Sequence, residues 1–381
     1  MFAAVASFSS LFLSTLVMLL GIGLFNVYVG LKLTQDGVSQ VWIGAIISFY
    51  YLGLVLGGRL GHTMIVRVGH VRAFAAGAAA VTVTVLLQTL VEDLYAWIVF
   101  RFVAGAAMAV QLIVIESWLN EQIENEHRGS IFAIYLVMSG IGTAIGQMAI
   151  TLYPTLDLRP LTLVAICHVV GLIPIVWTVR LHPAPQLPAP LDIRFFAKKV
   201  PSAMATMFLA GAITASFYSL APVYIVSMSF DTTDVAAFMT VAVIAGLLAQ
   251  WPMGWLSDRM SRTKLIKTNS AVLLGVTLLL WGWFELPLWV LLVVSAISGV
   301  TQFTLYALAM SFANDMVAPE RRVSLAAVML ISFGAGACVG PLVAGGVMRA
   351  VNSDMLYVFM TTCSLLLLLS VRFLGKNKTH V

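Results

Sequence analysis

Long apolar stretches alternate with short polar connections along nearly the whole chain. An α-helix needs about 20 apolar residues to cross ~30 Å of hydrocarbon. Twelve such stretches can be placed, centred near residues 19, 52, 81, 107, 140, 170, 213, 244, 274, 300, 337 and 364. No ten-residue alternation typical of barrel strands is evident, and open sheet edges are unstable in lipid. The pattern therefore predicts an all-α membrane protein with twelve transmembrane helices.

The second half of this pattern repeats the first. At an offset of 194 positions, four glycines recur: Gly105 as Gly299, Gly140 as Gly334, Gly142 as Gly336 and Gly146 as Gly340. At the same offset, polar residues recur as well: Arg128 as Arg322, Ser130 as Ser324, Asn120 as Asn314 and Glu121 as Asp315. At an offset of 192, Phe25 returns as Phe217, Arg67 as Arg259 and Arg72 as Lys264. We therefore expect two pseudo-symmetric six-helix bundles, residues 1–181 and 202–381, joined by a cytoplasmic Pro-rich linker, 182–201. Such duplication is typical of transporters, whose substrate site lies near the bilayer midplane.

Composition and charge agree with a membrane location. The chain is 61% hydrophobic and only 10% charged, whereas soluble domains average about 25% charged residues. If the amino terminus is cytoplasmic, 16 of the 21 Lys and Arg residues lie on the cytoplasmic side. This asymmetry predicts that both termini are cytoplasmic. The net charge of +5 then reflects topology, and no nucleic-acid partner is expected.

The sequence offers no sign of a catalytic or metal site. The three cysteines lie inside predicted spans without zinc-ligand spacing or a disulfide framework. No phosphate-binding Gly-x-x-x-x-Gly-Lys-Ser/Thr loop is present, so ATP hydrolysis is not expected. We therefore expect no enzyme activity, no cofactor and no metal.

The segment after the eighth span carries a motif, Gly254-Trp-Leu-Ser-Asp258-Arg259, followed by basic residues. It resembles the loop signature of the major facilitator superfamily, which implies a latch that closes the cytoplasmic side. We expect Gly254 to allow close helix approach and Asp258 to lie at a helix amino terminus. Arg67 and Arg72 occupy the corresponding turn of the first half.

Three further segments narrow the resemblance. Residues 116–121 (ESWLNE), 250–254 (QWPMG) and 303–306 (FTLY) resemble segments of the bacterial YcaD-type transporters. The resemblance extends over nearly the whole chain. This resemblance implies a protein of the bacterial inner membrane and leaves its substrate open.

Two ionisable residues lie within the fourth span. A charge inside a membrane costs at least ~2.5–3.5 kcal/mol, so each needs an explanation. Arg101 begins an Arg-x-x-x-Gly element that resembles one implicated in proton coupling or substrate contact in the superfamily. It binds an anionic group, tunes a neighbouring protonatable group, or ties helices together. Glu116 lies near the cytoplasmic end, and the family implies a gate role through Arg67 or Arg72, with proton carriage as the alternative. His168 is alone on an apolar face of span six, where a packed, hydrogen-bonded histidine is expected rather than a proton relay.

The superfamily lines its cavity with spans one, four, seven and ten. The substrate-binding candidates are Asn26, Arg101, Gln111, Tyr218, Gln302 and Tyr306, with Trp251 of span eight as a second-rank candidate. One arginine, several amides and many aromatic rings suit a small amphipathic or weakly anionic organic molecule. They do not suit a metal ion, which prefers clustered carboxylates, His or Cys.

The leading hypothesis is a monomeric secondary transporter that moves a small organic solute by alternating access, coupled to protons. A uniporter is the first alternative, because no carboxylate is evident in the central cavity. A membrane receptor or scaffold without transport and a lysolipid flippase are the others.

Overall fold

The computed structural model describes residues 8–122, 128–177 and 191–372. Within these ranges the chain forms thirteen α-helices, two short 3-10 helices and no strand. The α-helices are α1 (Ser9–Gln35), α2 (Gln40–Val68), α3 (His70–Leu90), α4 (Leu94–Gln122), α5 (Arg128–Ala149), α6 (Arg159–Val176), α7 (Ile193–Lys199), α8 (Pro201–Ser227), α9 (Thr232–Arg259), α10 (Arg262–Leu278), α11 (Leu288–Asn314), α12 (Arg322–Ala350) and α13 (Met355–Arg372). The 3-10 helices are Ile150–Leu152 and Pro319–Arg321.

The twelve long helices coincide with the twelve apolar stretches, and the predicted all-α membrane architecture is confirmed. Ten of them, α1–α6, α8, α9, α11 and α12, are long and apolar enough to cross a membrane by length and composition. Helix α13 contains a shorter apolar segment, Met355–Ser370. Helix α10 has 17 residues and opens with basic side chains, Arg262, Lys264 and Lys267, which lower its apolar character.

The short helix α7 lies within the segment that was expected to be a Pro-rich spacer. Asp192 caps its first turn, because the Asp192 carboxylate accepts a hydrogen bond from the Phe195 backbone N–H at 3.3 Å. Phe196 is buried, and Arg321 contacts Asp192 at 3.6 Å. Burial of one phenylalanine and a cap therefore order this part of the linker. Residues 182–190 of the predicted linker lie outside the described residues.

Contacts divide the chain into two compact units. Unit 1 comprises Met1–Lys32 and Phe49–Pro188, and unit 2 comprises Leu33–Ser48 and Ala189–Val381. In unit 1, α3 packs against α4 and α6. In unit 2, α8 packs against α12, α9 against α11, and α10 against α11 and α13.

Glycines that recur in the sequence lie at close helix crossings in both units. A Cβ atom on Gly142 or Gly146 of α5 would collide with the backbone carbonyls of Leu16 and Leu20 of α1. The corresponding pairs in unit 2 are Gly336 with Phe208 and Gly340 with Ala212, between α12 and α8. A second crossing recurs in the same way: Gly105 meets the Tyr50 carbonyl in unit 1, and Gly299 meets the Ala242 carbonyl in unit 2. The duplication is therefore structural, because the same backbones approach at the same repeat positions.

Candidate functional site

Arg101 forms the centre of a polar and aromatic cluster inside unit 1. It is fully buried on α4, and its guanidinium lies over the Phe25 ring of α1 at 4.2 Å. It also lies over the Tyr50 ring of α2, at 4.6 Å from the centroid. Arg101 Nη2 donates to Oδ1 of Asn26, the next residue on α1, at 3.3 Å. Two of the predicted binding residues, Arg101 and Asn26, are thus brought together.

The charge on Arg101 lacks a compensating carboxylate among the described residues. Nε and Nη1 are buried without a hydrogen-bond partner, and no ion pair involves this side chain. The two aromatic faces attract the cation, an effect worth up to about 2 kcal/mol each when desolvated. A buried cation still requires an anionic partner or further acceptors to offset its lost hydration. The cluster is therefore chemically suited to receive an anionic oxygen.

Gln111 lies on the same helix but in a different environment. Its Oε1 is 3.4 Å from Nδ1 of His168 on α6, and both side chains are fully buried. Gly77 of α3 faces Gln111, since an added Cβ would lie 3.0 Å from its Cγ. His168 is thus a packed, hydrogen-bonded histidine, as expected, and its partner is the buried amide of Gln111. Sequence alone missed this pair because the two residues are 57 positions apart.

Glu116 pairs with a tyrosine. Its Oε1 accepts a hydrogen bond from the Tyr135 hydroxyl of α5 at 3.1 Å. Arg67 and Arg72 are exposed, and among the described residues neither forms an ion pair with Glu116. The expected relay with the α2–α3 turn is therefore absent from this arrangement.

The four predicted binding residues of unit 2 differ in their surroundings. Tyr218 packs against Phe303, with ring centroids 5.6 Å apart, and Tyr306 packs edge-on against Phe333 at 5.4 Å. Gln302 is buried, and neither its amide nitrogen nor its amide oxygen has a hydrogen-bond partner. Trp251 is 79% exposed on α9. Their role in substrate binding remains a prediction.

The predicted latch after α9 is organised by Arg262. Its Nη1 is 2.5 Å from Oδ1 of Asp315 at the end of α11, and it also donates to the Ser311 backbone carbonyl. Asp258 is 3.8 Å from Arg262 Nη2 and is largely exposed. Arg259 instead lies over the Trp255 ring at 3.9 Å.

Gly254 does not allow a close helix approach, contrary to expectation. A Cβ atom built there meets nothing within 4 Å. Close approaches occur instead at other glycines, among them Gly105, Gly142, Gly299 and Gly336.

The described residues do not assemble a metal site. Within these ranges no group of three or more His, Cys, Asp and Glu side chains could hold an ion. The residues that sequence reasoning missed are the partners of the charged groups: Phe25 and Tyr50 for Arg101, Tyr135 for Glu116, and Arg262 for Asp258 and Asp315. Only the recurrence of Phe25 as Phe217 singled out one of them.

Comparison with known sequences identifies relatives over the full length. The sequence matches the family model described as the Major Facilitator Superfamily over residues 11–341 and again over 239–380. The MFS-type transporter YcaD of Shigella flexneri serotype 5b (strain 8401) is 28% identical over 385 residues, which cover 97% of this chain and 96% of the relative. YcaD of Escherichia coli (strain SE11) matches with the same identity and coverage.

Solved structures share the fold at much lower identity. The nucleoside transporter NupG matches with a TM-score of 0.82 at 14% identity and covers 97% of this chain and 99% of its own. A bacterial homolog of the human lysosomal transporter Spinster, in an inward-facing and occupied conformation, gives a TM-score of 0.78 at 12% identity, covering 96% and 94%. At these identities the likeness concerns the fold alone.

Proposed function

We propose that this chain, which belongs to the major facilitator superfamily, moves a small anionic or amphipathic organic solute across the bacterial inner membrane. Transport proceeds by alternating access of two bundles, residues 1–181 and 202–381, with both termini cytoplasmic. The chain lacks a nucleotide-binding motif, so a gradient supplies the energy, and we propose that this is a proton gradient.

The uncompensated guanidinium of Arg101 supports this proposal. Phe25 and Tyr50 hold the plane of the guanidinium, and Asn26 takes one of its donors. The remaining donors, Nε and Nη1, suit a carboxylate or phosphate oxygen, which a guanidinium binds in a two-point geometry. An anionic group on the solute supplies the missing charge and leaves the apolar part of the solute for the surrounding rings.

The experiment is a thermal-shift screen of a metabolite and drug library on the detergent-purified protein, with Arg101→Ala beside the wild type. We expect anionic compounds to raise the Tm of the wild type and to lose that effect in the variant. Binding at 100 times Kd corresponds to about 2.7 kcal/mol of stabilisation, which such a screen resolves.

The matched control is Arg59→Ala, which removes an exposed arginine from α2. It should leave every ligand-induced shift unchanged. Equal stabilisation of the wild type and Arg101→Ala by all compounds contradicts the role given to Arg101.

Proton coupling is then tested in proteoliposomes with the compound that the screen identifies. Accumulation against its gradient, driven by an imposed pH difference, supports coupling. Equilibration without accumulation indicates a uniporter.

A further inference from the structure

The Glu116–Tyr135 pair combines a surface-exposed acid with a buried phenol. Glu116 is exposed in the last turns of the α4 span. Tyr135 is buried in an apolar cluster with Ile115, Leu119 and Ile131. The only hydrogen bond of Glu116 among the described residues is the one from the Tyr135 hydroxyl at 3.1 Å. The carboxyl group of Glu116 thus lies at the surface of unit 1, and the Tyr135 phenol holds it in place.

No described cation neutralises this carboxyl group. On α3, His70 contacts the neighbouring residue Ser117, with Nε2 3.0 Å from Oγ. On α2, Arg59, His62 and Arg67 form no ion pair with Glu116, and neither does Arg72 of α3. A carboxylate tied to a fixed arginine stays ionised, whereas one that faces only a neutral hydroxyl is able to change its charge.

The second half of the chain shows that helix packing does not require this pair. At the offset of 194, Glu116 corresponds to Met310 and Tyr135 to Met329. Met329 is fully buried, and Met310 packs against the same apolar cluster of unit 2. Two methionines of one apolar cluster therefore occupy, on α11 and α12, the repeat positions at which α4 and α5 carry an acid and a phenol.

A tyrosine hydroxyl suits both charge states of its partner. It donates to a carboxylate, and it accepts from the O–H of a carboxylic acid. The contact between α4 and α5 therefore persists when Glu116 gains or loses a proton. A methionine in place of Tyr135 offers no such bond.

We propose that Glu116, held by the Tyr135 hydroxyl, is the proton-binding site of this transporter. The inference rests on the proposed proton-coupled function and names the group that carries the proton. Protonation is a reversible binding step, in which one proton from water joins the Glu116 carboxylate and no other bond changes. The gate role that the family resemblance implied for Glu116 is thereby replaced by proton carriage.

Infrared difference spectroscopy of the full-length protein in lipid bilayers tests the site without a transported ligand. Spectra are recorded in neutral and acidic buffer for the wild type, Glu116→Gln and Tyr135→Phe. We expect the wild type to gain a carboxylic-acid C=O band on acidification that Glu116→Gln lacks. In Tyr135→Phe the band should persist with a shifted frequency, because the hydrogen bond to the carboxyl group is lost.

The control is Glu285→Gln, which removes an exposed carboxylate between α10 and α11. The C=O band of Glu285 is the one that Glu285→Gln removes. Its frequency should be the same in Tyr135→Phe as in the wild type. The proposal is overturned if Glu116→Gln gains the same band as the wild type, or if Tyr135→Phe leaves the frequency of that band unchanged. Glu116→Met with Tyr135→Met reproduces the unit 2 pair, and we expect it to fold with an unchanged Tm and no band, should Glu116→Gln fail to fold.

The two proposals fail in distinguishable ways. If proteoliposomes show no proton-driven accumulation while the Glu116 band behaves as expected, the transport mode is wrong and the proton site stands as a binding site. If accumulation is proton-driven but survives unchanged in Glu116→Gln, another group carries the proton and this inference is wrong.

Discussion

Helix α4 of unit 1 and helix α11 of unit 2 occupy the same position in the repeat but differ in chemistry. Helix α4 carries Arg101 and Glu116, and the positions 194 residues later on α11 are Ser295 and Met310. The Ser295 hydroxyl donates to the backbone carbonyl of Phe238 on α9 at 2.6 Å. The ionisable groups of α4 are therefore not needed to build a bundle of this kind.

The glycine crossings show the opposite behaviour, since they are the same in both units. Gly105 faces the Tyr50 carbonyl and Gly299 faces the Ala242 carbonyl, at corresponding positions of the repeat. Small residues let two backbones approach, and van der Waals contact is a main source of helix association in lipid. The comparison separates what the fold needs from what the function uses: shared glycines hold the helices, and the unshared charges are available for chemistry.

The strongest way to break this comparison is to block a shared crossing. Gly336→Val places a side chain against the Phe208 carbonyl, and Gly142→Val does the same against Leu16. We expect each to destabilise its unit by ~3 kcal/mol or more, because a backbone carbonyl has no rotamer with which to move aside. Fluorescence-detected size-exclusion chromatography in detergent should show loss of the monodisperse peak for both.

Gly346→Val is the matched control for these variants. It lies on α12 like Gly336, yet a Cβ atom there meets nothing within 4 Å. It should elute as the wild type does. A normal elution profile for Gly336→Val would contradict the claim that the shared glycines hold the helices together.

A second test concerns the turn between α9 and α10, which corresponds in the repeat to the turn between α2 and α3. Arg262 joins α10 to Asp315 and the Ser311 carbonyl of α11. We expect Arg262→Ala to lower stability by about 1–2 kcal/mol, since hydrogen bonds to charged groups are strong but this site is partly exposed. Differential scanning fluorimetry in low and high salt measures both the loss and its screening.

Arg259→Ala is the control, because that guanidinium only covers the exposed Trp255 ring. We expect a smaller loss, of about 0.5–1 kcal/mol. If Arg259→Ala lowers stability as much as Arg262→Ala does, the turn is held by Arg259 of the motif and the role given to Arg262 is wrong.

The smallest expected effect concerns pH and the loops between α5 and α6 and between α12 and α13. The Arg159 backbone N–H and guanidinium hold the pKa of Asp157 below its usual range, with help from the Thr155 hydroxyl. Partial burial raises the pKa of Asp354 above its usual value. The two carboxyl groups should therefore respond to pH in opposite directions.

The contribution of Asp157 is present above the pKa of the unfolded chain and is lost as pH falls through the lower folded value. That of Asp354 is present at acidic pH and is lost as pH rises through its raised folded value. We expect Asp157→Asn to flatten the acidic limb of a Tm–pH profile, and Asp354→Asn to raise Tm slightly near neutral pH. Profiles that change in the same direction contradict this assignment.

Residue pattern predicted most of the helices because a membrane span has a simple requirement. Each span must satisfy its own backbone hydrogen bonds over about 20 apolar residues, and that constraint is local in sequence. The exceptions have local causes as well. Helix α7 was missed because the prolines of the linker dominated the expectation, whereas the Asp192 cap and the burial of Phe196 order that segment.

The candidate site was predicted less completely. Arg101, Asn26 and Glu116 stood out because polar residues inside apolar spans are costly, a property that each residue carries by itself. Gln111 was expected beside the substrate, and the structure places it against His168. The side of a helix that faces a given neighbour can be read from the sequence only when polar and apolar residues lie on different sides. These helices are apolar on most sides, so the sequence indicates little about which neighbour a residue faces.

The sequence by itself determined the number of long helices, the duplication and the positions of the buried charges, because hydrophobic length, repeat spacing and charge are properties of the chain. Only the tertiary structure decided the partners: aromatic rings for Arg101, a phenol for Glu116 and Arg262 for Asp315. These pairs join helices through side chains that are distant along the chain. Which faces meet depends on how closely the backbones approach at Gly142, Gly336 and their neighbours, and that geometry exists only after the helices have packed.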